Sequence, residues 1–151
     1  MLLLFKTAGL FLIFSVCVLC GIAKSESLKS KKKHIYLVTR SVENLAEYIR
    51  LGRGEVFVLI KECFNTDYVA VLRGEITVND AFLEKETVET LEEFFKDFGM
   101  QDTTAEYERT LMYAKILNKQ YNESDLKCRE LCRLYNTLGL LCGVFLVIFL
   151  L

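Results

Sequence analysis

The sequence predicts an all-α protein: a cytoplasmic bundle of about five to six helices, flanked by one N-terminal and one C-terminal transmembrane helix. Three observations carry that expectation. The chain contains no proline, the residue that most reliably breaks a helix. Apolar side chains recur at steps of three and four through its middle, the signature of one helical face. Both ends are apolar runs without a polar face, and roughly 17–25 such residues can cross a bilayer.

The first apolar segment runs from Leu2 to Ala23, with Lys6 as its one charge. It reads as a membrane helix over residues 1–23 or as a secretory signal, for which Gly21-Ile-Ala23 offers small residues to a peptidase. The uncharged run from Thr7 to Ala23 exceeds the usual h-region of roughly 7–15 residues, which favours an uncleaved helix. A basic juxtamembrane linker over residues 24–34 follows, with Lys24, Lys29, Lys31, Lys32 and Lys33. It reads as a solvated, mobile segment that also touches anionic head groups. Lys119, Lys127, Arg129 and Arg133 precede the second apolar run, and nothing charged follows it. The positive-inside rule then puts the middle of the chain in the cytoplasm and both termini outside.

The soluble bundle is expected over residues 35–135. Ile35, Val38, Val42, Leu45 and Ile49 step 3-4-3-4, and Leu51-Gly-Arg-Gly54 stops that helix, glycine being a natural terminator. Glu55 to Phe64 reads as a short helix, although its Val-Phe-Val-Leu-Ile run is β-prone and a buried strand competes. A third short element over Asp67–Leu72 stops at Arg73-Gly74, and Thr77 or Asn79 is placed to cap another turn. A stronger helix opens at Thr87, where Thr87 and Thr90 both offer capping-box chemistry. Val88, Leu91, Phe95 and Phe98 form its apolar face, and Gly99 ends it. Asp102 or Thr103 caps the last helix, whose stripe is Tyr107, Leu111, Ala114, Leu117 and Tyr121, resuming at Cys128, Leu131, Tyr135 and Leu138. The polar patch Asn122-Glu-Ser-Asp125 interrupts the stripe as a possible kink. That helix continues into a membrane span over residues 136–151.

Chemistry is scarce in this pattern. The net charge of −1 gives no field for nucleic acid, and no small-molecule substrate is expected. His34 is the single histidine, so no Ser-His-Asp or Cys-His arrangement assembles within one chain. Cys128 and Cys132 lie one turn apart without the further ligands zinc requires. Cys17, Cys20 and Cys142 fall in the apolar ends, which leaves no disulfide framework and suits a reducing compartment. The expected catalytic, metal and cofactor sites are therefore none. Glu89, Glu92, Glu93 and Asp97 share one face of their helix, either as a solvated face or as a dock for a basic partner. Gly139 and Gly143 have the small-xxx-small spacing that lets membrane helices approach, although membrane helices are rich in glycine in any case.

The order of these motifs resembles the stage III sporulation protein AB family, membrane proteins of endospore-forming bacteria. Its soluble domain is similar to the cytoplasmic domain of type II secretion F proteins. Leu91–Asp102 (LEEFFKDFGMQD) resembles the family's helix-end stretch, in which Gly99 and Asp102 fit the pattern. Phe95 stands where glycine is usual, Phe98 replaces leucine, and Glu106 falls where glutamine is usual. Leu134–Leu151 resembles the family's tyrosine-x-x-leucine-glycine entry into the last helix, here Tyr135 to Gly139. Arg40–Ile49 fits more loosely, and Gly52-Arg-Gly54 departs from the proline-containing turn common there. The resemblance implies a non-enzymatic scaffold or adaptor of a secretion-like sporulation channel between mother cell and forespore. It implies residence in the bacterial membrane on the mother-cell side. The implied partners are a cytoplasmic secretion-type ATPase and other sporulation channel membrane proteins, with a homo-oligomer also possible. A second class of reading is a secreted or surface-anchored helical effector with a cleaved signal peptide.

Overall fold

The computed structural model describes residues 2–52, 55–72 and 75–150. In chain order the elements are α1 (Leu2–Arg50), α2 (Val56–Cys63), β1 (Val69–Leu72), β2 (Glu75–Val78), α3 (Lys85–Lys96) and α4 (Thr103–Leu150). The chain divides into two compact units: Lys31–Ser124, here the core unit, and the chain up to Ser30 together with the chain from Asp125 onward, here the hairpin unit. Each of the two long helices contributes residues to both.

The core unit is built on the predicted α1 stripe. Ile35, Val38, Val42, Leu45 and Ile49 are all buried, as helical spacing on one face requires. Against them pack Leu59, Ile60 and Phe64 from the α2 region, Tyr68 and Val69, then Leu91, Phe94 and Phe95 from α3, and Tyr113, Ala114 and Leu117 from α4. Phe94 is fully buried. Its ring centroid lies 4.9 Å from Phe95, 5.0 Å from Phe98 and 5.2 Å from Tyr113, all within the range of favourable tilted ring pairs. The predicted α4 stripe is buried at Ala114, Leu117 and Cys128 and shifted in its first turns. Glu106, Thr110, Tyr113, Ala114 and Leu117 are buried, whereas Tyr107, Leu111 and Tyr121 are half-buried.

The bundle of five to six helices is corrected to four helices and a two-stranded hairpin among the described residues. β1 pairs antiparallel with β2, Val69 opposite Val78 and Leu72 opposite Glu75. The short element expected over Asp67–Leu72 and the residues before the expected Asn79 cap are strands. Val69, Val71, Ile76, Thr77 and Val78 are β-branched and suit the pairing, and each strand is stabilised by the other. Their alternation also sends Ile76 and Val78 toward the core while Glu75 and Thr77 face solvent. The competing strand over Val56–Ile60 is helical instead. α1 ends at Arg50, and Gly52 takes a positive φ of 61°, a conformation glycine adopts without steric cost. Arg53, Gly54, Arg73 and Gly74 lie outside the described residues, so the turns read there are not described. Residues 24–34, expected as a mobile linker, are helical within α1. No glycine or proline interrupts the chain between Lys24 and Arg50. α4 is likewise continuous through Asn122–Asp125.

In the hairpin unit α1 and α4 run antiparallel. Phe14 meets Gly143, Cys17 meets Gly139, Gly21 meets Tyr135 and Gly139, and Ser25 meets Cys132. Phe11, Leu19 and Ile22 on α1 and Leu141, Phe145, Ile148 and Phe149 on α4 remain exposed.

Replacing Phe94 by alanine removes a ring from the centre of the core unit, and the expected loss is about 3–5 kcal/mol. Chemical unfolding of the full-length protein in mild detergent, followed by circular dichroism, measures it.

Candidate functional site

The last turn of a helix leaves carbonyl groups without internal partners, and α3 solves this from outside. The Arg109 guanidinium donates to the carbonyls of Phe94 and Glu93. It lies 5.7 Å from the Phe94 ring centroid and 5.6 Å from that of Tyr113. It also pairs with Glu106 at 3.5 Å, one turn earlier on α4, where both side chains are largely buried. The other carboxylate oxygen of Glu106 accepts the backbone N–H of Gly99 at 3.3 Å. Gly99 has a φ of +81°, so the left-handed step that closes the α3–α4 corner demands glycine. The carbonyl of Asp102 accepts the Glu106 N–H at 2.8 Å and opens α4.

The corner therefore joins Gly99 and Asp102, singled out by their family pattern, with Glu106, noted only for standing where glutamine is usual. Arg109 went unremarked in the sequence. Its signal was an arginine three residues after a glutamate on a stripe otherwise apolar. The capping boxes at Thr87 and Thr90 are corrected, because α3 begins earlier, at Lys85. Thr87 is buried and donates to Gln120 at 3.1 Å, while the Gln120 amide donates to Thr90 at 2.9 Å. The two threonines tie α3 to α4 rather than start α3.

This corner holds α3 with its apolar side inward. Glu89, Glu92, Glu93 and Asp97 are all exposed, and a 3.6 Å pair joins Glu89 to the equally exposed Lys85. An ion pair so solvated is weak. The face is thus a local concentration of negative charge on a helix fixed at both ends, suited to attract a cationic surface.

The reactive residue types are otherwise engaged. His34 shares a 2.7 Å hydrogen bond with the Tyr68 hydroxyl and stacks 5.3 Å from Phe82. Burial raises the Tyr68 phenol above its ordinary value. Burial, with Glu62 adding to it, pushes the Cys63 thiol up to about 11, which keeps it protonated near neutrality. Cys128 and Cys132 lie with sulfurs 3.6 Å apart, and the Cys132 thiol reaches the Ser25 carbonyl at 3.5 Å. Among the described residues no three His, Cys, Asp or Glu side chains gather as a metal site.

The hairpin unit contains the other residues singled out. A Cβ on Gly139 would sit 3.0 Å from the Cys17 carbonyl oxygen, and one on Gly143 would sit 2.7 Å from the Phe14 ring. Gly21, noted in the sequence only as a small residue near a cleavage point, belongs to the same seam. A Cβ there would come within 2.8 Å of the Tyr135 carbonyl oxygen. At Gly21 and Gly139 the seam is backbone against backbone, an approach only residues without bulky side chains permit.

Fold and site together define a class: a mainly helical protein with two helices long and apolar enough to cross a membrane and an exposed acidic helix in its core unit. The family model for stage III sporulation protein AB matches residues 72–151, more than half of the chain, and the chain belongs to that family. It is accordingly a sporulation-related protein, and the match takes in β2, α3, the α3–α4 corner and all of α4. No curated protein and no solved structure matches the chain.

Two substitutions separate the corner from the seam. Arg109→Ala strands the Glu106 carboxylate and the α3 carbonyls, and the expected destabilisation is about 3–5 kcal/mol, read by thermal melting in detergent. Gly139→Leu forces the two backbones apart at an expected cost of about 1–3 kcal/mol. Spin-label distances between positions 19 and 141 should broaden, while the core unit keeps its circular dichroism.

Proposed function

We propose that the protein is a membrane-anchored, non-enzymatic scaffold of a secretion-like sporulation channel between mother cell and forespore. Its α3 face docks the cytoplasmic secretion-type ATPase, and its membrane helices sit among the other channel proteins. The observation that carries this reading is the distribution of charge along the antiparallel hairpin. Because Ser25 lies against Cys132 and Phe14 against Gly143, Lys24, Lys29, Lys127, Arg129 and Arg133 collect toward one end. The other end has only Lys6. Cations at one end of an apolar hairpin favour the cytoplasmic side for that end. On this reading the protein sits in the membrane on the mother-cell side, with residues 31–124 cytoplasmic and both termini outside. The exposed carboxylates of α3 then supply the charge complementarity that steers and orients a basic partner surface.

The test has two readouts. In inverted membrane vesicles protease should remove the core unit, and in right-side-out vesicles it should leave that unit intact; the opposite pattern would falsify the topology. Full-length protein in detergent should retain the family's ATPase in pull-downs at low salt. Replacing Glu89, Glu92, Glu93 and Asp97 together by lysine should weaken retention at least about tenfold. Unchanged retention by that variant removes α3 from the docking surface.

A further inference from the structure

A groove of about 630 Å³ runs beside β2, between that strand and the second half of α3. All four strand residues, Glu75 to Val78, line it. Successive side chains of a strand point to opposite faces, so a cavity that borders four in a row follows the edge of the strand rather than one face. β1 occupies the other edge. Alternate residues of β2 therefore turn N–H and C=O groups toward the groove, where no strand pairs with them among the described residues. Such an edge is a template for a further strand.

The side chains around the edge say what kind of segment fits. Phe95 and Phe98 form the apolar floor, and Phe57 and Met100 stand at the sides with much of their surface exposed, Met100 at 80%. Glu75 and Glu92 also line the groove, with Lys96 as the one cation among the described lining residues. Glu92 also belongs to the acidic face of α3, so a carboxylate of that face borders the groove. Alternation of apolar and charged positions in an added strand would place its apolar residues on the floor and its charges by the carboxylates.

We propose that the groove captures an extended, apolar and lysine- or arginine-bearing segment of a partner protein, added as a third strand on β2. This deepens the docking reading above and rests on it for the biological partner, but the chemistry is tested separately. The probe is a fluorescein-labelled seven-residue peptide of alternating lysine and valine, offered to the full-length protein in non-ionic detergent. Two controls accompany it: the same peptide with glutamate for lysine, and one with N-methylated backbone amides that cannot pair with a strand.

Anisotropy should show binding of the basic peptide, at least tenfold weaker binding of both controls, and at least tenfold loss with Glu75→Lys or Met100→Asp. Both substituted side chains are exposed, and circular dichroism verifies that the variants fold. A benzophenone at position 100 should crosslink to the peptide. Absence of binding, equal binding of all three peptides, or indifference to the two substitutions would overturn the proposal. So would a benzophenone crosslink to a second copy of the chain in place of the peptide. Neither groove substitution touches the four-carboxylate variant. If ATPase retention depends on those carboxylates while the peptide fails to bind, this inference falls and the docking reading stands. If the peptide binds at β2 while no ATPase is retained, the docking reading falls instead.

Discussion

The core unit depends on one arginine. Arg109 takes the carbonyls that α3 cannot satisfy internally, packs beside two rings, and pairs with a glutamate that holds the next backbone turn. A buried ion pair is not a large source of net stability, because both charges give up hydration. Its effect is on geometry, since few other arrangements leave every one of those polar groups with a partner. Where α3 stops, how the chain turns and where α4 begins are decided by the same few atoms. The orientation of α3 follows, with Leu91, Phe94 and Phe95 inward and the carboxylates outward.

A different constraint governs the hairpin unit. Its outer surface is apolar, and in a bilayer, where lipid would be as apolar as those side chains, burying them against one another would yield little. What remains is van der Waals contact between backbones, and the absence of side chains at Gly21 and Gly139 makes that contact possible. The buried Ser25 hydroxyl has no hydrogen-bond partner among the described residues. An unmatched polar group of this kind carries a desolvation penalty, so close packing in the seam tolerates a local misfit.

Much of the helical skeleton was legible because long periodic segments declare themselves. The stripe from Ile35 to Ile49 is buried as its spacing required, and Gly99 does close α3 with a positive φ. Short segments declared less. Nothing in Asp67–Leu72 or Glu75–Val78 taken singly distinguishes a turn of helix from a strand, since each gains its stability from the other. Phe94 escaped notice because its neighbour Phe95 satisfied the same spacing. Thr87 and Thr90 have the composition of a capping box, yet their partner, Gln120, is 30 or more residues away. Arg109 was hidden for the same reason: the groups it serves are close in space and remote in sequence. The acidic face was readable from spacing alone, whereas the edge of β2 became visible only once the strand was placed.

The glycine contact is made within one polypeptide. A motif that in a single-pass protein would join two chains is here used up between the first and last helices of the same molecule. Its strength is therefore indifferent to how many copies of the molecule are present. The outward residues such as Phe145 and Phe149 take no part in that contact and stay on the surface of the hairpin unit.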